Sequence, residues 1–365
     1  MRDSKVIRKE KIMNILMNRL DNLCIDNKSY EFIPESIKKE INMDGMIVGA
    51  NGKFLVDKED AMILIKKSNL KNQIGENMYN ALMRKPMMVY LIPTMEDEFE
   101  GTKEYFDERY GIKALHLNNF AQSFSIGCWF IKDSCVTSTY AYWINMFNGY
   151  NSQFHRDMEV TLSDGGIAVI NLSELEMLEA IERMYEVCRY LLPEESKTGC
   201  VDKISSVGTT VWEVDKAISK EGNSFARALI ILQEARRTGV VASKIDKYCS
   251  ILECLYAIKK DHKKNISNIT AAYIGKDDAE REEIIKYMRE AYGVRSDSSH
   301  GDNLKYLKEN DEDSLKALSS TIDNYVRRVF RKVIKKTELN YDNTDEKKAK
   351  TREYFRKITQ SIYPE

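Results

Sequence analysis

The chain has 365 residues and a mass of 42.3 kDa, more than one hydrophobic core usually organises, so its length predicts two domains. Apolar residues make up 43% and charged residues 31%, with only 5 prolines and 17 glycines, which excludes a collagen-like or low-complexity chain and argues against global disorder. The 56 Lys and Arg residues nearly balance the 57 Asp and Glu residues, so any basic binding surface must be local.

Targeting segments and cysteine pairs are not evident in the sequence. The first 23 residues are charged throughout and lack the apolar stretch of a signal peptide. The most apolar runs are far shorter than the roughly 20 residues that a membrane span requires. The seven cysteines are an odd, scattered set without a Cys-x-x-Cys pair, which predicts neither a disulfide framework nor a zinc knuckle. We therefore expect a cytosolic protein that makes no membrane contact.

The first half of the chain mixes predicted strands with helices. Asn51 and Gly52, between residues 46–48 and 54–56, are suited to the tight turn of a hairpin. Four further short runs favour strands through their apolar, β-branched and aromatic residues: 87–92, 124–131, 136–144 and 167–172. Ser173 and Glu176 then form a capping box, which predicts the start of a helix that ends before Pro193.

The second half reads as helical almost throughout. A polar stretch, residues 194–206, predicts the boundary between the two domains. Apolar residues then recur at helical spacing in three stripes: Phe225, Leu229, Leu232 and Ala235; Ile245, Cys249, Leu252 and Tyr256; Ile284, Met288, Ala291 and Tyr292. Two more helices are predicted near 315–336 and over 347–358. The predicted fold class is therefore α+β, with a mixed domain (1–200) followed by an all-α bundle (205–365).

An arginine five to seven residues before a histidine could hold and cleave a phosphodiester, and two such pairs occur. Arg109 and His116 lie in the mixed domain, where they leave open a separate activity. Arg295 and His300 follow the third apolar stripe of the bundle. The other two histidines are given no chemical role: His155, beside Arg156, has no recognisable partner, and His262 is interpreted as a surface residue.

Local context favours the second pair. If the helix of the third stripe continues in register, Arg295 falls on its apolar face, where a guanidinium is costly unless it is paired or serves an anion. Gly293 and Val294 are the positions at which that register could change. The short polar residues 296–299 favour a tight turn that protrudes from the bundle, and Gly301 allows the chain to reverse.

Two further features could support this pair. Glu253 lies beside the apolar stripe of its helix, where it either orients Arg295 or pairs with a lysine as an ordinary flanking residue. Six cations fall within one half of a helical wheel near the end of the bundle: Arg327, Arg328, Arg331, Lys332, Lys335 and Lys336. They form either a track for the RNA backbone or the solvated face of a core helix.

Residues 227–331 resemble the Apea-like branch of the HEPN domains, small helical bundles common in bacterial defence and toxin systems. The resemblance rests on KIDKYCSILECLYAI, then YGVRSDSSHG, then the long basic helix. The family implies a homodimeric ribonuclease without metal or cofactor, its two motifs meeting across the interface. Arg295 and His300 then occupy the motif positions, and Ser296 stands where other HEPN branches frequently have Asn or Asp. A bacterial defence or toxin role follows from the resemblance alone.

The chemistry of such a pair is consistent with RNA cleavage. An imidazole can accept or donate a proton at cellular pH, and a guanidinium remains charged and can hold two phosphate oxygens. DNA lacks the 2′-hydroxyl that serves as nucleophile, so the mechanism predicts cleavage of RNA only. The alternative is a bundle that binds RNA or a nucleotide without cleaving it, as a sensor or an antitoxin-like partner. In either case we expect the mixed domain to control or target the bundle through a regulatory ligand or partner.

Overall fold

The structure is a computed structural model that describes residues 12–25, 30–31, 53–56, 59–93, 102–146, 148–155, 159–191, 224–336, 339 and 344–364. The chain divides into two compact units. The mixed unit contains Met1–Ile131, Val136–Glu159 and Val169–Gly208, and the helical unit contains Lys132–Cys135, Val160–Ala168 and Thr209–Glu365. Two short segments of the first half thus belong to the helical unit, which a single division at residues 194–206 did not anticipate. That stretch itself lies outside the described residues.

Eight strands are present in the described part of the mixed unit: β1 Ile12–Arg19, β2 Leu23–Ile25, β3 Tyr30–Glu31, β4 Lys53–Val56, β5 Met87–Pro93, β6 Tyr140–Asn145, β7 Asn151–His155 and β8 Ile170–Leu172. Six of them form an antiparallel sheet in the order β3-β4-β5-β1-β6-β7, and β2 pairs with β8 in parallel. The turn predicted at Asn51 and Gly52 lies outside the described residues, although β4 covers the strand expected after it.

Helices cover both faces of this sheet. On one face lie α1 Glu59–Lys67, α2 Leu70–Ile74 and α3 Glu76–Met83, which share a core with alternate residues of β1 such as Ile15 and Met17. On the other face lie α4 Lys103–Ile131 and α5 Glu174–Leu191, which pack with Leu16. Since β1 is buried on both sides, its sequence does not show the alternation of apolar and polar residues by which a half-exposed strand is recognised.

The strand predicted at 124–131 is wrong, because these residues form the end of helix α4. Residues 121–130 are all buried, and a short apolar run that is buried on every side has the same periodicity in a helix and in a strand. Gly127 also shows how closely the helix is packed. A Cβ atom at this position would lie 2.2 Å from the carbonyl oxygen of Ala180 in α5, so the two helices meet there backbone to backbone.

The other predictions for the first half were right in whole or in part. The strand at 87–92 is confirmed as β5, whereas those at 136–144 and 167–172 are shorter and correspond to β6 and β8. The capping box is confirmed, since the backbone N–H of Glu176 donates to Ser173 Oγ and that of Ser173 donates to Glu176 Oε2.

Six helices build the described part of the helical unit: α6 Ser224–Arg237, α7 Val241–Tyr256, α8 His262–Ile274, α9 Asp278–His300, α10 Glu312–Val333 and α11 Asp345–Ile362. The residues of the three predicted apolar stripes are buried, apart from Tyr292, which is half-buried. The rings of Phe225 and Phe330 pack edge to face, 5.3 Å apart. The fold is therefore mixed α+β with a helical C-terminal region. No helix in the described ranges combines the length and apolarity that crossing a membrane demands.

Candidate functional site

Helix α9 places the Arg295–His300 segment at the end of a continuous helix. Asp277 begins the helix by accepting the backbone N–H of Glu280. The helix then passes through Gly293 and Val294 without a break, so the prediction of a protruding turn at 296–299 is wrong and these residues form its last turn. Gly301 ends it at φ 73°, a left-handed conformation that glycine adopts without strain.

Arg295 lies on the face of α9 that packs against α7, as the apolar stripe predicted, and it contacts two carboxylates there. Its Nε donates to Asp246 Oδ1 at 3.1 Å, and its Nη1 contacts Glu253 Oε1 in a short ion pair. Its guanidinium carbon lies 5.1 Å from the centre of the Tyr292 ring. The contact expected with Glu253 is therefore present, and Asp246 is a second partner that the sequence interpretation missed.

Burial and charge act in opposite directions on Arg295, whose side chain is 21% exposed. Burial by itself would lower the pKa of its guanidinium, but the hydrogen bond and the negative charge of Glu253 outweigh it, so that this pKa is raised. The guanidinium is thus held as a fixed cation. Neighbouring Cys249 is deeply buried, which raises the pKa of its thiol to about 12 and keeps it neutral.

His300 is exposed in the last turn of α9, on another side of the helix. Five residues at 100° each place it about 140° around the helix from Arg295. Within the part of the chain that the structure describes, no hydrogen bond or ion pair joins the two side chains. The two side chains therefore leave α9 in different directions.

The polar residues between them have different environments. Ser296 is exposed and makes no hydrogen bond to a described residue, and the supporting role predicted for it stays a prediction. Asp297 is buried and accepts the backbone N–H and the Nζ of Lys305, and the backbone hydrogen bond, followed by the side-chain one, lowers the pKa of its carboxyl. Ser299 Oγ lies 3.4 Å from Asp246 Oδ1, on the Arg295 side. Asp297 thus anchors the chain that follows α9.

Glu253 has a second partner, His262, which the sequence interpretation treated as an unpartnered surface residue. His262 Nδ1 lies 2.7 Å from Glu253 Oε1, the same oxygen that contacts Arg295. Both side chains are partly shielded, with 15% of Glu253 and 37% of His262 exposed. The structure therefore brings together a guanidinium, a carboxylate and an imidazole, but the imidazole is that of His262 and not that of His300.

The turn between α7 and α8 creates this contact. Ala257 ends α7 in a left-handed conformation, φ 54°, and its N–H donates to the Cys254 carbonyl while that of Ile258 donates to the Glu253 carbonyl. Asp261 is also left-handed, φ 49°, immediately before α8. Such residues are uncommon outside glycine, and here they return the chain so that the first residue of α8 meets the last turn of α7.

Among the six cations predicted as an RNA track, Arg327, Arg328 and Lys332 make defined contacts inside the helical unit. Arg327 pairs with the buried Asp323 one helical turn earlier. Arg328 Nη2 donates to the carbonyl of Ile274, and Lys332 Nζ donates to that of Tyr273 at 2.6 Å. These carbonyls belong to the last turn of α8, which lacks partners within its own helix, so the two cations cap it.

The remaining three cations lie at or beyond the end of α10. Arg331 is half-buried in its last turn, and Lys335 and Lys336 follow the helix, which ends at Val333 and not at residue 336. Lys335 is exposed. The apolar half of the wheel is confirmed as core, because its members are buried: Val326, Val329, Phe330, Val333 and Ile334. An RNA track on this helix stays a prediction.

Positions 109 and 116 both fall within helix α4 of the mixed unit, and their side chains lie outside what the structure describes. Among the described residues, no three His, Cys, Asp or Glu side chains converge as metal ligands would. Comparisons of the chain with family models, with curated proteins and with solved structures return no match.

Proposed function

We propose that the helical unit is a HEPN-like, metal-independent endoribonuclease whose site is completed by a second copy of the chain. One observation carries the proposal: Arg295 is fixed in place by two carboxylates at the end of α9, and His300 is exposed one turn further along the same helix. A fixed guanidinium and an accessible imidazole are the two groups that RNA cleavage without metal needs.

The position of Arg295 favours a role in stabilising phosphate. The contacts to Asp246 and Glu253 use Nε and Nη1, and Nη2 makes no hydrogen bond to any residue that the structure describes. This nitrogen can donate to a phosphate oxygen. Because the carboxylates already restrict the side chain, little rotational entropy is lost when the phosphate binds.

The separation of the two groups requires a dimer. Since about 140° of helix rotation separates His300 from Arg295 in one chain, a single phosphate reaches both groups only if one comes from each copy. A two-fold axis would then supply two imidazoles and two guanidiniums, as isologous association does. This assembly agrees with the homodimer that the family resemblance implies.

In the proposed reaction, one His300 imidazole takes the proton of the ribose 2′-hydroxyl, whose oxygen attacks the adjacent phosphorus. Arg295 stabilises the crowded phosphate. The bond from phosphorus to the 5′-oxygen of the next nucleotide breaks, and the protonated imidazole of the second copy gives that oxygen its proton. The products are a 2′,3′-cyclic phosphate, which water can open to a 3′-phosphate, and a 5′-hydroxyl end.

The test is to incubate the purified full-length protein with total RNA in EDTA and to map the new ends. We expect cleavage to fall by about 10²–10⁴ in His300→Ala, which removes the proton carrier. Arg295→Ala should lower it by about 10²–10³ through loss of phosphate stabilisation. His300 is exposed, so its variant should fold normally, which circular dichroism can verify.

Two matched variants control for charge and surface effects. Arg289→Ala removes an exposed arginine from the same helix, and His155→Ala removes an exposed histidine from the mixed unit. Both should cut RNA as the wild type does. Undiminished cleavage by His300→Ala, or a requirement for a divalent metal, would exclude the proposed mechanism.

A second candidate is a module that binds RNA or a nucleotide without cleaving it, as a sensor or an antitoxin-like partner. The commitment of Arg295 to two carboxylates within one chain favours it over cleavage, because a guanidinium whose charge is already compensated stabilises the added negative charge of a crowded phosphate less. Overproduction in bacteria separates the two candidates. A nuclease should slow growth, as a defence or toxin effector does, and His300→Ala should relieve the effect. If the protein is a binding module, His300→Ala should not change growth relative to the wild type.

A further inference from the structure

A cavity of about 430 Å³ opens in the helical unit next to the Glu253–His262 pair. Helices α6, α7, α8 and α11 contribute to its wall. Besides Glu253 and His262, its charged lining residues are Arg227, Lys259, Lys348, Arg352 and Asp345. The volume lies within the range of about 300–1,000 Å³ that sites for small molecules occupy.

Four of the residues that line this cavity are lysines or arginines. Among the residues that the structure describes, none of Arg227, Lys259, Lys348 and Arg352 forms a salt bridge. Arg352 Nη1 is in addition shielded from solvent and has no hydrogen-bond partner in this part of the chain. A shielded donor without a partner is costly, so a ligand that brings an acceptor to this atom would be favoured.

The two carboxylates of the cavity do not balance these charges. Glu253 is already in contact with Arg295 and His262. Among the described residues that line the cavity, Asp345 is then the one other carboxylate beside the four cations. Two helices also contribute their first turns to the wall, α8 through His262 and α11 through Asp345 and Lys348, and helix N-termini add partial positive charge. The cavity therefore favours an anion.

We propose that this cavity binds a small ligand that carries a phosphate monoester, with the phosphate against Arg227, Lys348 and Arg352. A phosphate monoester has a charge near −1.5 to −2 at pH 7 and three acceptor oxygens, which suits a cavity lined by four cations, one of which has a donor without a partner. The apolar lining residues Ile231 and Ile258 leave room for an uncharged body such as a nucleoside.

Binding at this site is non-covalent. Cys254 also lines the cavity, but burial raises the pKa of its thiol to about 11, and Sγ lies 3.2 Å from the Ser224 carbonyl oxygen, to which the thiol donates. It is therefore a neutral thiol and not a nucleophile. The Nδ1 atom of His262 contacts Glu253 Oε1, so the Nε2 atom of the same ring is the one that can contact the ligand.

Two sources present a phosphate monoester with a nucleoside attached: a free mononucleotide and the 5′-phosphate end of an RNA. Calorimetric titration of the full-length protein with 5′-AMP, 5′-GMP, 5′-UMP and 5′-CMP, with adenosine, and with a ten-nucleotide RNA carrying either a 5′-phosphate or a 5′-hydroxyl distinguishes the sources. We expect at least one phosphorylated probe to bind, and adenosine and the 5′-hydroxyl RNA to bind about tenfold more weakly or not at all. Mononucleotide binding identifies a free ligand, whereas binding of the 5′-phosphate RNA alone identifies an RNA end.

Variants assign the binding to the cavity. Lys348→Gln and Arg352→Gln should each weaken it by about tenfold, because each removes a charge-assisted hydrogen bond. The control is Lys350→Gln, an exposed lysine on the same helix that pairs with Glu346, and it should bind as the wild type does. The proposal fails if no phosphorylated probe binds below millimolar concentration, or if the cavity variants bind as tightly as Lys350→Gln.

This proposal does not depend on RNA cleavage. The titration measures binding alone, and His300→Ala, which abolishes the proposed cleavage, should bind the same probes with unchanged affinity because His300 is not among the residues that line the cavity. Loss of cleavage with intact binding, and the reverse, are therefore separate results.

Discussion

The regions on the two sides of Glu253 differ in how far carboxylates compensate their cations. On one side Arg295 lies between Asp246 and Glu253, so that one cation meets two carboxylates. On the other side the cavity presents four cations, none of which has a salt bridge in the described part of the chain. Both regions belong to the same helical unit and meet at one carboxylate oxygen.

This difference distinguishes cations that stabilise the fold from cations that are available to bind a ligand. A partly buried cation with fixed carboxylate partners has had its desolvation cost offset within the chain, and its removal leaves those partners unpaired. A cluster of cations without partners repels itself, and its removal relieves the repulsion. The two kinds of site should therefore respond to mutation with opposite effects on the free energy of unfolding.

The largest effect is expected at Arg295. Arg295→Ala leaves Asp246 and Glu253, which lie two turns apart on α7, without their shared cation. Breaking a fully buried pair costs about 3–5 kcal/mol. Since the arginine side chain is 21% exposed, solvent screening reduces this cost. We expect the free energy of unfolding to fall by about 2 kcal/mol, measured by urea denaturation at pH 7.

Arg289→Ala provides the comparison, because it removes an exposed arginine from the same helix. Arg289→Ala should change the free energy of unfolding by no more than about 0.5 kcal/mol, as is usual for surface positions. Equal effects of the two variants would show that Asp246 and Glu253 do not hold Arg295, and the contrast between the two sides of Glu253 would then disappear.

A smaller effect, with a pH dependence, is expected at Lys244 of helix α7. This lysine is fully buried, and its Nζ donates to the carbonyl of Ala235. Burial, followed by the charge of Arg236, lowers the pKa of Lys244 from 10.5 to about 8, although Asp133, Asp323 and Asp164 oppose the shift. It is thus a cation whose partners compensate it only in part.

The sign follows from proton linkage. Because the pKa is lower in the folded state, the unfolded chain binds more protons between about pH 8 and 10.5, and stability rises with pH in this range. Well below pH 8 the lysine is protonated in both the folded and the unfolded state, so the full cost of burying its charge lowers the stability. Lys244→Met removes the titrating group. We expect the unfolding free energy of the wild type, relative to this variant, to rise by about 1 kcal/mol from pH 7 to pH 9.

Lys247→Met serves as the reference for Lys244, because this lysine is half-exposed on the same helix and pairs with Glu234. Measuring both variants at pH 7 and pH 9 separates the effect of burial at Lys244 from the loss of a lysine on this helix. A flat difference for Lys244→Met would mean that the lysine retains an ordinary pKa in the folded protein.

The sequence predicted the helical unit well because its signals are local. The apolar stripes recur every three or four residues and depend only on helix geometry, and they placed Arg295 against the helix that carries Glu253. Asp246 could have been found in the same way, since it precedes Glu253 by seven residues, or two helical turns.

Contacts that depend on unusual turns or on burial from both sides could not be predicted. The approach of His262 to Glu253 requires positive φ at Ala257 and Asp261, residue types that give little sign of it. In the mixed unit, the central strand β1 contains Asn14, a residue type that is mostly exposed in proteins. It is buried, and its side chain donates to the Tyr110 hydroxyl and accepts from Trp143 Nε1.

The smallest change in the free energy of unfolding is expected for the cavity variants. The sign of this change tests the comparison. Lys348→Gln and Arg352→Gln each remove one cation from a like-charged cluster, and Arg352→Gln also removes a shielded donor without a partner. Without ligand, each should raise the free energy of unfolding by up to about 0.5 kcal/mol at low ionic strength, as is typical of partly exposed charges. In about 1 M salt, where charges are screened beyond about 3 Å, the gain should vanish. A loss of stability in either variant at low salt would instead mean that the cation has a partner within the chain, and the cavity would then be balanced in the same way as the Arg295 side.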